Sequence, residues 1–190
     1  MEIYIILLFS YLIGSIPFGF ILTKIFLKKD IRELGSGNIG ATNVLRTGNK
    51  FVGYGTLFFD VFKAVSPILI VKFYYNEYIY LSSLAVFIGH VFPIWLGFKG
   101  GKGVATYVGI LFCLNYILGI IFIISWLLIV LIFKYSSLAS LLSSLIIPIF
   151  QFLFNNNYYF YIIMFILIFY THRENIKRLI NNTESKINIY

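Results

Sequence analysis

Apolar residues gather along this chain into blocks long enough to cross a lipid bilayer, separated by short polar connectors. Crossing ~30 Å of hydrocarbon takes about 20 helical residues at ~1.5 Å each. Such blocks run from Ile3 to Leu27, Phe51 to Tyr75 and Tyr78 to Phe98. The next apolar tract, Val104 to Phe133, would be ~45 Å long as one helix, too long for an ordinary crossing. Asn115, Tyr116 and Gly119 interrupt it where a tight turn fits. Two more blocks, Tyr135 to Phe154 and Tyr158 to Thr171, flank Asn155, Asn156 and Asn157.

Whether the fourth tract crosses once or twice is decided by where the cations fall, because basic residues are retained in the cytoplasm. With seven crossings, Lys28, Lys29, Arg32, Arg46, Lys50, Lys99, Lys102, Lys134, Arg173, Lys177, Arg178 and Lys186 share one face and Lys72 stands alone on the other. With six crossings, Lys134 and the basic tail change sides and the bias vanishes. The pattern therefore predicts an all-α integral membrane protein, a seven-helix transmembrane bundle with its amino terminus outside and its carboxyl terminus cytoplasmic. The expected spans are 3–27, 51–75, 78–98, 104–114, 116–133, 135–154 and 158–171, in one polytopic domain covering 1–190. The first block is expected to stay as a helix and not to be cleaved as a signal. Glu2 stands where a basic region should be, and the apolar stretch is too long.

Composition agrees with the pattern. Of 190 residues, 60% are hydrophobic and only 12% charged, more apolar surface than a soluble domain of this size could cover. The net charge of +8 is absorbed by the topology, which leaves no case for nucleic acid as a partner. The one cysteine, Cys113, lies inside an apolar run and reads as a small buried hydrophobe.

The polar residues fall into four clusters, each at the predicted cytoplasmic end of a helix. The first connector carries Gly35-Ser36-Gly37-Asn38-Ile39-Gly40-Ala41-Thr42-Asn43-Val44-Leu45-Arg46. Glycines let backbone approach a ligand, Ser36 and Thr42 add hydroxyls, and Arg46 offers a fork suited to phosphate. The alternative is a flexible glycine-rich loop, although linkers seldom hold Asn and Arg so densely. The second cluster is Gly89-His90-Val91-Phe92-Pro93 with Lys99-Gly100-Gly101-Lys102-Gly103-Val104-Ala105-Thr106. Lys102 among glycines before an apolar helix suits an anion at a helix amino terminus. It is not a nucleotide-binding P-loop, because Leu96 and Gly103 occupy places where that motif needs Gly and Ser or Thr.

His90, inside a span, is either a functional group or a neutral imidazole bonded to a carbonyl. The third cluster opens the sixth span with Ser136, Ser137 and Ser140, residues that also suit close helix packing. The fourth is Thr171-His172-Arg173-Glu174-Asn175-Ile176-Lys177-Arg178-Leu179, where a continuing helix places His172 and Asn175 on one face with Arg178 near its edge. Asp60 and Lys63, spaced i,i+3 inside the second span, read as a mutually neutralising pair. No Cys, His or carboxylate set is spaced for a metal, and neither metal nor cofactor is expected. Cations, hydroxyls and glycine N–H groups at one face of a membrane bundle imply a phosphate-bearing substrate beside lipid.

Through these residues the chain resembles the bacterial membrane glycerol-3-phosphate acyltransferases that use acyl-phosphate as donor. The runs from Ser36 to Arg46, Gly89 to Pro93, Lys99 to Thr106 and His172 to Leu179 look like that family's signatures in order and spacing. Gly14-Ser15-Ile16-Pro17-Phe18-Gly19 and Asp60-Val61-Phe62-Lys63 look familial too. The resemblance implies a seven-helix membrane fold in the bacterial inner membrane with the active site on the cytoplasmic face. It implies transfer of an acyl group from acyl-phosphate to the 1-hydroxyl of sn-glycerol 3-phosphate, giving lysophosphatidic acid and phosphate.

By that analogy Ser36, Arg46, Lys102, His172 and Asn175 are the catalytic residues. Gly37, Asn38, Thr42, Asn43, His90, Gly100, Gly101, Gly103, Thr106, Ser137, Ser140 and Arg178 would contact substrate. The N–H groups of Gly100, Gly101 and Gly103, with Lys102 and Ser36, are expected to hold the donor phosphate. Arg46, Asn175 and His172 are expected to hold glycerol phosphate, and either His172 or the departing phosphate takes the hydroxyl proton. The chain departs from the family at Ala64 and Asn182, where glycines are usual, and at Ser136, where an apolar residue is. The expected partners are the two substrates and membrane lipid, for a protein acting as a monomer. The competing reading is a transporter of a phosphorylated metabolite, disfavoured because the cations lie at one face and not near the midplane.

Overall fold

The computed structural model describes residues 1–154 and 157–187. Among these the chain is helical and contains no strand. Asn155 and Asn156 of the expected asparagine turn lie outside the described residues. Four stretches are long and apolar enough to cross a membrane by length and composition: Glu2–Leu27, Asn76–Leu96, Tyr116–Phe133 and Ser136–Leu153. Val104–Leu114 and Tyr159–Thr171 are shorter apolar helices. The chain divides into two compact units, Met1–Leu114 and Asn115–Tyr190.

In the first unit, α1 (Glu2–Gly14) and α2 (Phe18–Leu22) belong to one apolar stretch broken at Ser15, Ile16 and Pro17. Pro17 has no N–H to continue the ladder, and Ser15 Oγ turns back to donate to the Tyr11 carbonyl at 2.8 Å. Beyond α2 the chain widens into a π-turn, Thr23–Leu27, and stops at Lys28 in the left-handed region. α3 (Ala41–Leu45) is one turn of the following connector. α4 (Lys50–Tyr74) begins on Asn49, whose side chain accepts the Val52 N–H at 3.0 Å as an N-cap.

α1 lies against α5 (Ile79–Val91) at backbone distance, with Gly14 against the Val86 backbone and Gly89 against the Tyr11 carbonyl. Small residues permit that approach between apolar helices, and a buried Ser10–Ser82 hydroxyl pair at 2.8 Å adds a polar tie. Gly109 of α6 (Val104–Leu114) faces α4, where a methyl on it would stand 3.1 Å from Ala64 Cβ. The methyl that distinguishes Ala64 from glycine is thus met by a glycine on the facing helix.

The second unit contains α7 (Tyr116–Phe133), α8 (Ser136–Leu153), α9 (Tyr159–Thr171) and α10 (Arg173–Ile180). The long apolar tract does divide where the sequence suggests, since Asn115 caps α7 by accepting the Ile117 N–H at 2.9 Å. α7 ends on Lys134 in the left-handed region, and the Lys134 carbonyl accepts the Ile187 N–H at 2.8 Å, which ties down the tail. The expected continuous helix through His172 is not observed. His172 ends α9 and precedes α10 with φ −95 and ψ 5, while its carbonyl accepts the Ile176 N–H.

Candidate active site

The glycine-rich connector of the first unit is folded and not a flexible linker. Ile31, Ile39, Val44 and Val52 form a small buried core beneath it, flanked by Phe20, Leu22, Leu27, Leu34 and Leu96. Above that core Asn43 acts as a staple. Its Oδ1 accepts the Ser36 N–H at 2.9 Å, and its Nδ2 faces the carbonyls of Asn38, Leu34 and Ile31 at 2.8, 2.9 and 3.3 Å. The amide is buried and fully engaged. Asn43 therefore shapes the loop. Asn38 likewise spends its Oδ1 on the Gly40 N–H at 2.9 Å.

What the staple holds out is the exposed turn Gly35-Ser36-Gly37, with φ of +56 at Gly35 and +71 at Gly37. A methyl on Gly35 would lie 3.7 Å from Arg46 Cδ, so the arginine stem runs beside this turn. Ser36, Thr42 and Arg46 are all exposed. At the loop's start Asp30 accepts from Arg32 Nε at 3.0 Å and Nη2 at 2.7 Å. That hydrogen bonding holds the Asp30 carboxyl down at about 2.

The Lys102 loop is built differently. Gly100 N–H donates to the Val91 carbonyl at 3.0 Å and Gly101 N–H to the His90 carbonyl at 3.1 Å. These two N–H groups, expected to hold phosphate, are bonded to the end of α5. The glycines serve closeness instead. A Cβ on Gly100 would overlap the His90 and Val91 carbonyls, one on Gly101 the His90 ring, and one on Gly103 the Phe87 ring. Gly103 also needs the left-handed region, at φ +83. Lys102 is half-buried and, with Gly103 after it, leads into α6, whose first N–H groups have no partner within the helix. Thr106, in that first turn, is fully buried and its hydroxyl makes no hydrogen bond among the described residues. His90 is buried behind the loop, with Nδ1 3.7 Å from Asp60 Oδ1.

In the second unit Ser137, Asn175 and Arg178 do converge, on a residue the sequence reading passed over. Glu184 accepts from Ser137 Oγ at 2.8 Å, Asn175 Nδ2 at 2.7 Å and Arg178 Nε at 2.6 Å. Burial would push this carboxyl up, but the hydrogen bonds from Arg178, Asn175 and Ser137 outweigh it and leave it below its ordinary value. Only its rank as the last acidic residue, six beyond Arg178, distinguishes it in the sequence. Asn182 takes φ +56, a conformation asparagine tolerates better than most residues.

Ser140 is occupied otherwise, accepting from Trp126 Nε1 at 3.1 Å and donating to the Ser136 carbonyl at 2.9 Å. Ser136 thus serves through its backbone. His172 is buried with Nδ1 2.8 Å from the Ile168 carbonyl. A carbonyl only accepts, so Nδ1 carries a proton and donates it. Asn175 Oδ1 is buried with no hydrogen-bond partner among the described residues.

Apolar helices of spanning length joined by folded polar loops are the architecture of an integral membrane protein. The glycerol-3-phosphate acyltransferase family profile matches residues 4–182. The glycerol-3-phosphate acyltransferase of Pelagibacter ubique (strain HTCC1062) is 67% identical over the whole of both chains. That of Mesorhizobium japonicum is 47% identical over 95% of this chain and 94% of its own. Two crystal structures of PlsY (YgiH), an integral membrane glycerol 3-phosphate acyltransferase, match 99% of this chain and 96% of theirs at 36% identity. The glycerol 3-phosphate form has a TM-score of 0.93 and the lysophosphatidic acid form 0.90. The chain belongs to the glycerol-3-phosphate acyltransferase family. It is an acyltransferase and a multi-pass membrane protein, and the transporter reading falls away.

Proposed function

We propose that this chain transfers a fatty acyl group from acyl-phosphate to the 1-hydroxyl of sn-glycerol 3-phosphate, forming lysophosphatidic acid and inorganic phosphate. The observation that carries the reading is its likeness, at 36% identity, to a protein crystallised in a glycerol 3-phosphate form and a lysophosphatidic acid form. The phosphate donor follows from the motif resemblance and from the chemistry of the residues. An acyl-phosphate is a mixed anhydride with a good leaving group, so charge neutralisation and orientation suffice. No serine–histidine–carboxylate arrangement is seen among the described residues that would support an acyl-serine.

In this mechanism Lys102 and the first N–H groups of α6 bind the donor phosphate, with Ser36 as a further ligand. Arg46 binds the phosphate of the acceptor, and Asn175 and His172 orient its hydroxyl. The hydroxyl oxygen attacks the acyl carbon, the bond from that carbon to the phosphate oxygen breaks, and phosphate leaves with the electron pair. The proton passes to His172 Nε2 or to the departing phosphate. His172→Gln, which cannot titrate, decides between them: a loss of ~10²-fold in kcat assigns it to His172, and near-normal kcat to the phosphate. The protein acts as a monomer that crosses the bacterial inner membrane seven times as one polytopic domain. Its amino terminus is outside and its active site cytoplasmic, in keeping with the basic residues sharing one face.

The test is phosphate release from palmitoyl-phosphate by purified protein in detergent, with and without glycerol 3-phosphate. Release that requires the acceptor and yields lysophosphatidic acid is expected. Acceptor-dependent acylation from another donor, with none from palmitoyl-phosphate, would overturn the reading.

A further inference from the structure

The connector that carries Ser36 and Arg46 leans on α2, and a buried polar tie holds the start of α2 to α4. Lys63 Nζ, at mid-length in α4, donates to the Ile16 carbonyl at 2.7 Å. That carbonyl stands in the break between α1 and α2, and it also accepts the Phe18 N–H at 3.1 Å. Lys63 Nζ stands 2.7 Å from Asp60 Oδ1 as well. Asp60 and Lys63 are each 2% exposed. The Phe18 ring lies 5.8 Å from Lys63 Nζ and stacks on Phe59 of α4 at 4.9 Å.

From this anchored start α2 runs directly into the connector. Gly19 is buried, and a Cβ on it would overlap the Ile39 carbonyl. Ile39 belongs to the small core under the connector, and Phe20 and Leu22 pack against that same core. The Phe20 ring also lies under the Arg32 guanidinium at 4.8 Å. α2 is thus a wall of the connector, and the bond from Lys63 to Ile16 sets where that wall begins.

Stability does not account for burying such a pair. An ion pair in an apolar interior often does no better than apolar residues of the same volume, and ionisable groups inside apolar helices are costly to keep. A side-chain bond to backbone at a helix break does what packing does not, since it fixes the origin of the next helix. Lys72 makes the same kind of bond, to the Cys113 carbonyl at 2.6 Å. It does so near the end of α4 remote from the connector, where it ties α4 to the end of α6.

We infer that Lys63, with Asp60 beside it, is a positioning residue for Ser36 and Arg46, acting through the Ile16 carbonyl and α2. The inference rests on the proposal that Ser36 and Arg46 contact substrate. The buried pair binds no substrate in this arrangement. A displacement of about 1 Å at a substrate ligand is enough to cost ~10-fold or more.

The experiment is steady-state kinetics of the full chain in detergent on Lys63→Met, Asp60→Asn/Lys63→Met, Lys72→Met and Arg46→Ala, each with its thermal transition. Lys63→Met strands the Asp60 carboxylate, so the transition should fall and kcat/KM should drop about tenfold. Adding Asp60→Asn removes the stranded charge, and the transition should return most of the way to that of the parent. kcat/KM should stay about tenfold down in this double variant, because the Ile16 carbonyl still lacks its lysine. Recovery of stability and kcat/KM together is what a purely structural pair would give, and it would overturn the inference. Failure of the double variant to fold would do the same.

Lys72→Met is the comparison. It should lower the transition and leave kcat/KM within about twofold of the parent. An equal loss of kcat/KM there would mean that any loosening of α4 costs activity, and the inference would be lost. Trypsin cleavage after Arg46 reads the connector without substrate, and it should be several-fold faster in the double variant and unchanged in Lys72→Met. A parental cleavage rate in the double variant counts against the inference outright. Arg46→Ala separates the two readings. An unchanged kcat/KM in that variant removes Arg46 as a substrate ligand, whereas the cleavage rate still reports whether the pair sets the connector.

Discussion

The two units present their polar groups in opposite ways. In the first, Ser36, Thr42 and Arg46 stand exposed on a loop whose interior is stapled by Asn43 and floored by apolar residues. In the second, Ser137, His172 and Asn175 are buried, and with Arg178 most of their donors are already spent within the unit, chiefly on Glu184. One region separates scaffold from presented groups, and the other makes the same side chains do both. Substitution of a presented group in the first unit should therefore remove function and spare the fold. In the second unit the two losses should arrive together.

The largest effect that sharpens this contrast is expected at Arg46→Ala, about 10³-fold in kcat/KM, or ~4 kcal/mol of transition-state binding. Its thermal transition should not move, and a fall of the two together would break the distinction. Next comes Asn43→Ala, which strips the loop of its staple and should cost about 3 kcal/mol in denaturation midpoints, with acceptor KM rising as Ser36 and Arg46 lose their support. Glu184→Gln follows. A buried carboxylate loses its charge, but Arg178 is over a third exposed (37%), so the cost is discounted to about 2 kcal/mol. Stability and activity should fall together in that variant.

Acid gives a finer separation. Because Glu184 sits below its ordinary value of 4.5 in the folded chain, its contribution is complete above that pH and is lost as pH falls through the lowered value. The difference in midpoint between Glu184→Gln and the parent should be constant at neutral pH and close only below pH 4.5. Asp30 is lost in a window of its own, from 3.8 down to about 2. The smallest effect is Asn182→Gly, about 0.5 kcal/mol of stabilisation from relief of its positive φ.

The apolar blocks and the division at Asn115 were legible because length, hydropathy and capping are local properties. The candidate site was legible only as a set of residue types, since cations, hydroxyls and glycines suit an anion. What the sequence could not show is who takes each donor. Gly100 and Gly101 look like a phosphate cradle until their N–H groups are followed to Val91 and His90. Asn43 reads as a ligand until its amide is found facing three carbonyls and one N–H. Glu184 looks like a solvated tail residue because its partners lie 6, 9 and 47 positions away. Such pairings are set by the fold and not by the residues next to each donor in sequence.

The break at Pro17 bears on how the protein is made. α4 carries Asp60 and Lys63 at mid-length, and each such ion costs about 2.5–3.5 kcal/mol to bring to the centre of a bilayer. On the seven-crossing reading, α4 leaves the ribosome after α1 and α2, whose interrupted ladder already offers the Ile16 carbonyl to Lys63. The first hairpin is then the smallest piece that can enter lipid without help, and a chain begun at Lys50 would deliver a helix to the translocon with its acceptor missing.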